Sequence, residues 1–481
     1  MVEKKPRSSS LADEDVAIGA AKAAARPQLH SESSNPNMNG PLYMQTFGSG
    51  RVLVRRLKRK EEGTWKQVAR WFVENQIGLS FNLLALLFLS HAFIPKARPY
   101  TSKFFHLCYY NPATGQYGHG FDDFYFITFC IVLLTGLRAA TMEYALAPLA
   151  KACGAGDKRK DLTRFSEQGW LIVFYTVFWP LGMYIYCNSP YYLNFQGLWT
   201  DWPTRELSQI MKGYILAQWA FWLQQIIVIN IEEKRKDHWQ MFTHHILTVG
   251  LISSCYAYHF TRIGNCILVI MDVVDIVLSL AKCLKYCGFT TVCDVLFGFF
   301  LLTWFVARHV LHIMTVWSVY TDARDLIPPA CWHGDAQNVT GPFDAPAGYW
   351  YMIEPFIKPN GIVCFTEPVR WSFIVPLVGL QILMVVWFTM AIRVAVKVVC
   401  GGSAEDVRSD AEDEDENETD EFIYEEAAPL EQEVGVEEID LKNWERRSGV
   451  RRQGSSSGVS IHGHSDRKEL LGRIGCEKQV D

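Results

Sequence analysis

No two of the thirteen cysteines in this chain are spaced as CxxC, so the sequence offers neither a zinc-ribbon pattern nor a redox dithiol. Most of them fall within apolar stretches and read as small buried hydrophobes. The first 40 residues are small and polar, without an apolar h-region, so no cleavable signal peptide is expected. Charge is scarce, at 20% of 481 residues against 49% hydrophobic ones, which is too apolar a balance for an ordinary soluble domain. The formal net charge of −5 averages two unlike parts. From Gly401 onward there are 23 acidic and 10 basic residues, leaving 28 acidic and 36 basic before it, a net of about +8.

What the chain does have is long apolar runs. A spanning helix needs roughly 20 mostly apolar residues, and eight stretches qualify or nearly so: Gly78–Pro95, Phe124–Leu146, Gly169–Cys187, Tyr214–Ile231, Met241–Phe260, Ile263–Ala281, Val292–Trp317 and Ser372–Val398. Backbone groups in lipid must be satisfied within the segment, so the expectation is an all-α polytopic membrane protein of about eight helices. Around this body (78–398) lie a disordered N-terminus (1–50), a basic amphipathic juxtamembrane segment (51–77) and an acidic, low-complexity, disordered tail (399–481).

Lysine and arginine gather in alternate loops: RVLVRRLKRK before the first span, KACGAGDKRKDLTR after the second, EEKRKDHW after the fourth and KCLKYCG after the sixth. These sides agree with one another and predict a cytosolic N-terminus and, for an even number of spans, a cytosolic tail. The loop between the last two spans then faces the lumen. It carries the glycosylation pattern at Asn338 and two cysteines, Cys331 and Cys364, whose state as thiols or disulfide is open. In the tail, Ser403 and Ser409 precede acidic residues and are phosphorylation candidates.

Against this apolar background His244 and His245 stand in the fifth span, and Asp272 and Asp275 in the sixth. Ionisable groups at membrane depth cost about 2.5–3.5 kcal/mol each on insertion scales and mark functional sites. His244 and Thr248 share a helix face, and Asp272, Asp275, Ser279 and Lys282 follow one another along a second. A histidine beside a carboxylate is held in one tautomer and serves as a base; it can also carry an acyl group. Two histidines and two carboxylates are also acceptable metal ligands, although no HxxHH cluster accompanies them. On the seventh span Arg308, His309 and His312 read as cavity lining or partners for the aspartates. Arg235, Lys236 and Lys282 at the cytosolic mouth could attract phosphates, though ordinary positive-inside topology also accounts for them. Trp239 and Trp304 are aromatic wall or interface candidates.

The segment RKDHWQMFTHHILTVGLISSCYAYHFTRIGNCILVIMDVVDIVLSLAKCLKYCG, from paired histidines to D-x-x-D and a following lysine, resembles the longevity-assurance motif of the ceramide synthases, acyl-transferring members of the TLC-domain proteins. The resemblance implies a six-helix TLC barrel around a lipid channel, over about 165–398. It implies an endoplasmic-reticulum N-acyltransferase that joins a fatty acyl-CoA, leaning to very long chains, to sphinganine or phytosphingosine. The products would be dihydroceramide or phytoceramide and CoA. His244, His245, Asp272 and Asp275 become the catalytic set, with acyl-CoA as co-substrate, no metal and no other cofactor. Membrane lipid, a small single-span accessory subunit and a homo- or heterodimer with a paralogous synthase are the implied partners; nucleic acid is not. No homeobox-like segment separates the first two spans, and the long N-terminus and acidic tail look fungal. Two other readings stand beside this one: a non-catalytic TLC relative that binds lipid or sits at the translocon, and a metal-dependent intramembrane hydrolase.

Overall fold

The computed structural model describes residues 64–155, 159–231, 237–334 and 338–400, together with three short strands nearer the ends. Those strands, Leu42–Gln45 (β1), Val52–Leu57 (β2) and Phe422–Glu426 (β8), pair antiparallel in the order β1-β2-β8 as a unit of their own. These strands fall in the segments expected to be a disordered N-terminus, a basic amphipathic juxtamembrane segment and a disordered tail, and VLVRRL and FIYEE have the β-branched and aromatic content that favours strands. The remainder of both ends, Ser403 and Ser409 among it, lies outside the described residues.

The body is helical. In chain order it holds α1 (Thr64–Phe93), α2 (Arg98–Phe105), the two-residue strands β3 (Tyr110–Asn111) and β4 (Gln116–Tyr117), and α3 (Asp123–Ala140). A π-helical turn, Thr141–Leu146, joins α3 to α4 (Ala147–Ala152). Then come α5 (Arg159–Cys187), α6 (Gln209–Ile231), α7 (His238–Ala257), α8 (Thr261–Tyr286) and α9 (Thr290–Trp304). A second π-helical stretch, Phe305–Leu311, leads into α10 (His312–Tyr320) and α11 (Asp322–Leu326). Strands β5 (Cys331–His333), β6 (Thr340–Phe343) and β7 (Val363–Cys364), with the short helix α12 (Glu354–Ile357), precede the last long helix, α13 (Glu367–Val399).

Six segments among the described residues are long and apolar enough to cross a membrane: Gln67–Phe93, Asp123–Ala152, Asp161–Cys187, Gln209–Ile231, Thr290–Leu326 and Glu367–Val398. The two expected spans missing from that set are α7 and α8, which carry the histidines and aspartates. Their lengths of about 30 and 39 Å suffice to cross. Each carries ionisable side chains within an otherwise apolar stretch.

The packing explains how such helices are tolerated. Helix α5 packs on α8, α8 on α9, α9 and α10 on α13, α13 on α7, α7 on α6, and α6 back on α5. The order closes on itself, so six helical segments enclose an interior. Helices α1 and α3 pack on each other and against the outside of α6. Outward positions are hydrocarbon, with Phe81, Leu86, Val295, Leu302, Val375 and Ile382 all more than 60% exposed, whereas Gln218, Gln224, Asn265, Asp272 and Thr315 are essentially inaccessible. Polar groups are thus turned inward and apolar ones outward, as a lipid solvent demands.

One buried ion pair fixes the outer helices to the ring. Lys212 Nζ lies 2.6 Å from Asp123 Oδ1, and the Tyr256 hydroxyl donates to Asp123 Oδ2 at 2.6 Å. Lys212 also donates to the carbonyls of Cys108 and Gly118. Both charges are therefore paired and hydrogen-bonded, the condition under which burial is tolerated. His119, in the loop before α3, is packed against Tyr256, and burial followed by the nearby Lys212 charge pushes its pKa down to about 3.

At the same end as the start of α13, a bond joins Cys331 to Cys364. The two residues are opposite one another in the β5–β7 pairing, so the bridge closes the loop that the sequence left open between thiols and disulfide.

Candidate functional site

The turn between α7 and α8 sets the depth of the site. Helix α7 ends with Phe260 N–H donating to the Cys255 carbonyl and His259 N–H to that of Tyr256, a Schellman closure with His259 in the left-handed region. Only Tyr258–Phe260 separates the helices, so they run antiparallel as neighbours. His244 lies fourteen residues before Tyr258 and Asp275 fourteen after Thr261, which places both about 21 Å from the turn. Asp272 falls about one turn closer to it.

Two cavities meet there. One, a space of about 1430 Å³ that includes its open mouth, lies where α6 and α8 finish and α7 begins and is lined by polar and aromatic groups. Arg138, Glu167, Gln168, Asp237, His238 and Lys282 lie among them, and His244, His245, Tyr175, Ser279 and Trp304 line it too. The other, about 950 Å³, is almost entirely apolar and runs along α7, α8 and α13 toward Phe260, Phe365 and Phe373. Trp222, His244, Asp275 and Arg308 line both. His245 lines the polar cavity and Thr248 the apolar one.

The histidines are held by aromatic rings rather than by carboxylates. Trp222 stands edge-on to both, 5.6 Å from His244 and 5.4 Å from His245 between ring centroids. Trp387 of α13 is 5.4 Å from His244. The Nδ1 atoms of both histidines have no hydrogen-bond partner. The expectation that an aspartate orients the imidazole is therefore corrected. Asp275 is taken by Arg308, whose Nη2 is 2.8 Å from Oδ1, and Tyr175 lines the same polar cavity. Asp272, fully buried, accepts from Gln218 Nε2 at 2.8 Å and lines neither cavity. The reason is geometric: a three-residue step turns about 300°, so the two aspartates differ by about 60° around α8, enough to point one into the cavity and one into the wall.

Arg308 reaches Asp275 from the π-helical stretch, where the wider turn realigns side chains and often marks a functional position. Its guanidinium also lies 4.3 Å over the Trp304 ring and donates to the Met271 carbonyl. His309 and His312, expected near the aspartates, instead share one amide. His312 Nδ1 is 2.9 Å from Gln381 Oε1, and Gln381 Nε2 is 2.7 Å from His309 Nδ1. Neither histidine lines either of these two cavities. Trp239 is 71% exposed on the outside of α7 and takes no part in the site. Arg235 and Lys236 lie outside the described residues, while Lys282 does line the mouth. Among the described residues no three His, Cys, Asp or Glu side chains converge as a metal-holding group.

Trp222, Trp387, Tyr175 and Gln218 were missed by sequence reasoning. Gln218, in the apolar run YILAQWAFWLQQ, had a visible signal, an amide in a spanning helix needing a partner. The tryptophans had none, since aromatic residues are common throughout.

Comparison with known proteins settles the family. A TLC domain matches residues 164–393, which spans α5 to α13 and the whole ring. The chain is 48% identical to a protein named ceramide synthase FUM18 of Gibberella moniliformis, over 70% of this chain and 79% of that one. It is 43% identical to the sphingosine N-acyltransferase-like protein ALT7 of Alternaria alternata, over 71% of this chain and 77% of that one. It is 40% identical to sphingosine N-acyltransferase lag1 of Schizosaccharomyces pombe, over 67% and 76%. The chain belongs to the ceramide synthase family. It is a TLC-domain, multi-pass ceramide synthase of fungal type.

Proposed function

We propose that this chain transfers a fatty acyl group from acyl-CoA to the amine of a sphingoid base at His244, giving an N-acyl sphingoid base and free CoA. One observation carries this: His244, with Asp275 and Arg308, lines the wall shared by a cavity rich in polar groups and an almost entirely apolar one. A thioester whose ends differ so sharply in polarity would lie across that wall, the acyl chain in the apolar cavity and the CoA toward Lys282. The amine nitrogen forms its bond to the thioester carbonyl carbon and the C–S bond breaks. The proton leaves nitrogen for the imidazole and passes to the departing CoA sulfur. Holding both partners in a site closed to water on one side supplies much of the rate, because a thioester is already activated. In the acyl-carrier version the carbonyl passes first to His244 nitrogen and then to the amine. Asp275 balances the Arg308 charge beside the reaction, and Asp272 with Gln218 fixes the helix that carries it.

The test is reconstitution of the full-length protein in lipid with sphinganine and palmitoyl-CoA, with the product followed by mass spectrometry. Formation of N-acyl sphinganine and stoichiometric CoA is expected; its absence would overturn the reading, and a metal in stoichiometric amount by elemental analysis would favour the hydrolase. Added acyl mass on the protein after acyl-CoA alone distinguishes the carrier version from direct transfer.

The endoplasmic reticulum membrane, with cytosolic termini, is part of the same proposal. The disulfide supports it, since such bonds persist in oxidising compartments, as does an exposed Asn338 in the same loop. In microsomes Asn338→Gln is expected to abolish any glycosidase-sensitive mass shift. A shift from a sequon at Asn417 instead would reverse the orientation. A single-span accessory subunit and pairing with a second synthase chain remain proposals from family resemblance.

A further inference from the structure

The apolar cavity has a charged group at each end. At the His244 end Arg308 is paired with Asp275. Toward the far end lies Arg370, which lines the cavity and is 4% exposed. Met384, Leu380, Leu377, Phe373 and Arg370 follow one another at three- and four-residue steps, one stripe of α13 facing the cavity along its length. The guanidinium is fixed in place. Its Nη1 donates to the Tyr320 carbonyl at 2.7 Å, its Nη2 to Glu367 Oε2 at 2.5 Å, and it lies 5.2 Å over the Tyr320 ring. Its Nε–H is buried without a hydrogen-bond partner among the described residues.

A buried donor left without an acceptor carries a desolvation penalty that a bound acceptor relieves. An apolar pocket with one fixed polar group at its floor is the arrangement that reads the end of a ligand. We infer that Arg370 recognises the far, ω end of the acyl chain, and that this chain accepts long-chain acyl groups bearing a hydroxyl there. The inference rests on the acyltransferase reading above. Fourteen residues of α13 separate Met384 from Arg370, a rise of about 21 Å, the reach of an extended chain of about sixteen carbons. That depth favours chains of about this length over the very long ones to which the sequence resemblance leans. Glu367 already balances the guanidinium, so a neutral hydroxyl suits the site better than a carboxylate, which would add an unbalanced charge in an apolar cavity. A shorter hydroxylated chain would bury its hydroxyl against hydrocarbon, without a partner.

The experiment compares kcat/KM for palmitoyl-CoA and 16-hydroxypalmitoyl-CoA, and for the twelve-carbon pair, using the full-length protein in lipid with sphinganine. The ratio of hydroxylated to plain substrate is expected to exceed one at sixteen carbons and to fall below one at twelve. Arg370→Leu is expected to lower the sixteen-carbon ratio tenfold or more, whatever its total activity, and Arg370→Gln, which keeps an N–H donor, to restore part of it. Because each ratio is taken within one variant, partial unfolding does not move it. Equal ratios at the two lengths in the wild type, or the wild-type ratio retained in Arg370→Leu, would overturn the inference. Palmitoyl transfer without any discrimination removes the role of Arg370 and leaves the acyltransferase reading standing; no transfer from any acyl-CoA takes down both.

Discussion

Replacing His244 with alanine is expected to lower the rate of N-acyl sphinganine formation by about 10³-fold, within the range that a positioned acid–base group contributes. On the proposed binding mode the KM for palmitoyl-CoA should change little, because most residues of the apolar cavity proposed to hold its chain lie away from the imidazole. His245→Ala should cost less, since that ring lines the polar cavity but not the apolar one, which it meets through Trp222 and His244. Steady-state assays of both variants against wild type, at equal amounts of folded protein, check this. Equal product from wild type and His244→Ala would remove the histidine from the chemistry.

The second large effect concerns the chain-holding cavity. Leu377 is 2% exposed and lines it about midway along α13. Leu377→Trp is expected to block the cavity, reducing transfer from palmitoyl-CoA a hundredfold or more while sparing octanoyl-CoA, whose chain ends short of the block. Overpacking by a few methylenes costs about 1–3 kcal/mol in a dense core, so retained octanoyl transfer also reports that the protein folds. Parallel losses for both substrates, with a protein that still elutes and melts normally, would mean that the acyl chain lies elsewhere.

Much of this was legible in the sequence because membranes make polar residues conspicuous. His244, His245 and Asp275 stood out against hydrocarbon, and helix period with an antiparallel turn was enough to place Asp275 level with the histidines. The pairing inside the site was not legible. Whether Asp275 meets a histidine or Arg308 depends on the π-helical turn at Phe305–Leu311, which shifts the register of that helix by a fraction of a turn and leaves no mark in composition. The same shift sends His309 and His312 to Gln381. The second cavity was equally hidden, for Leu251, Phe373 and Leu377 differ in no way from lipid-facing neighbours until the ring closes around them.

The account stands on two cavities meeting at His244, with the acyl chain in the apolar one. Photolabelling tests this most directly, using a sixteen-carbon acyl-CoA with a diazirine at its last carbon, followed by peptide mapping. Label is predicted on the segment from Phe365 to Leu377. Label on the polar-cavity wall around Glu167 or His238, or on the outward faces of α1 and α3, would contradict it.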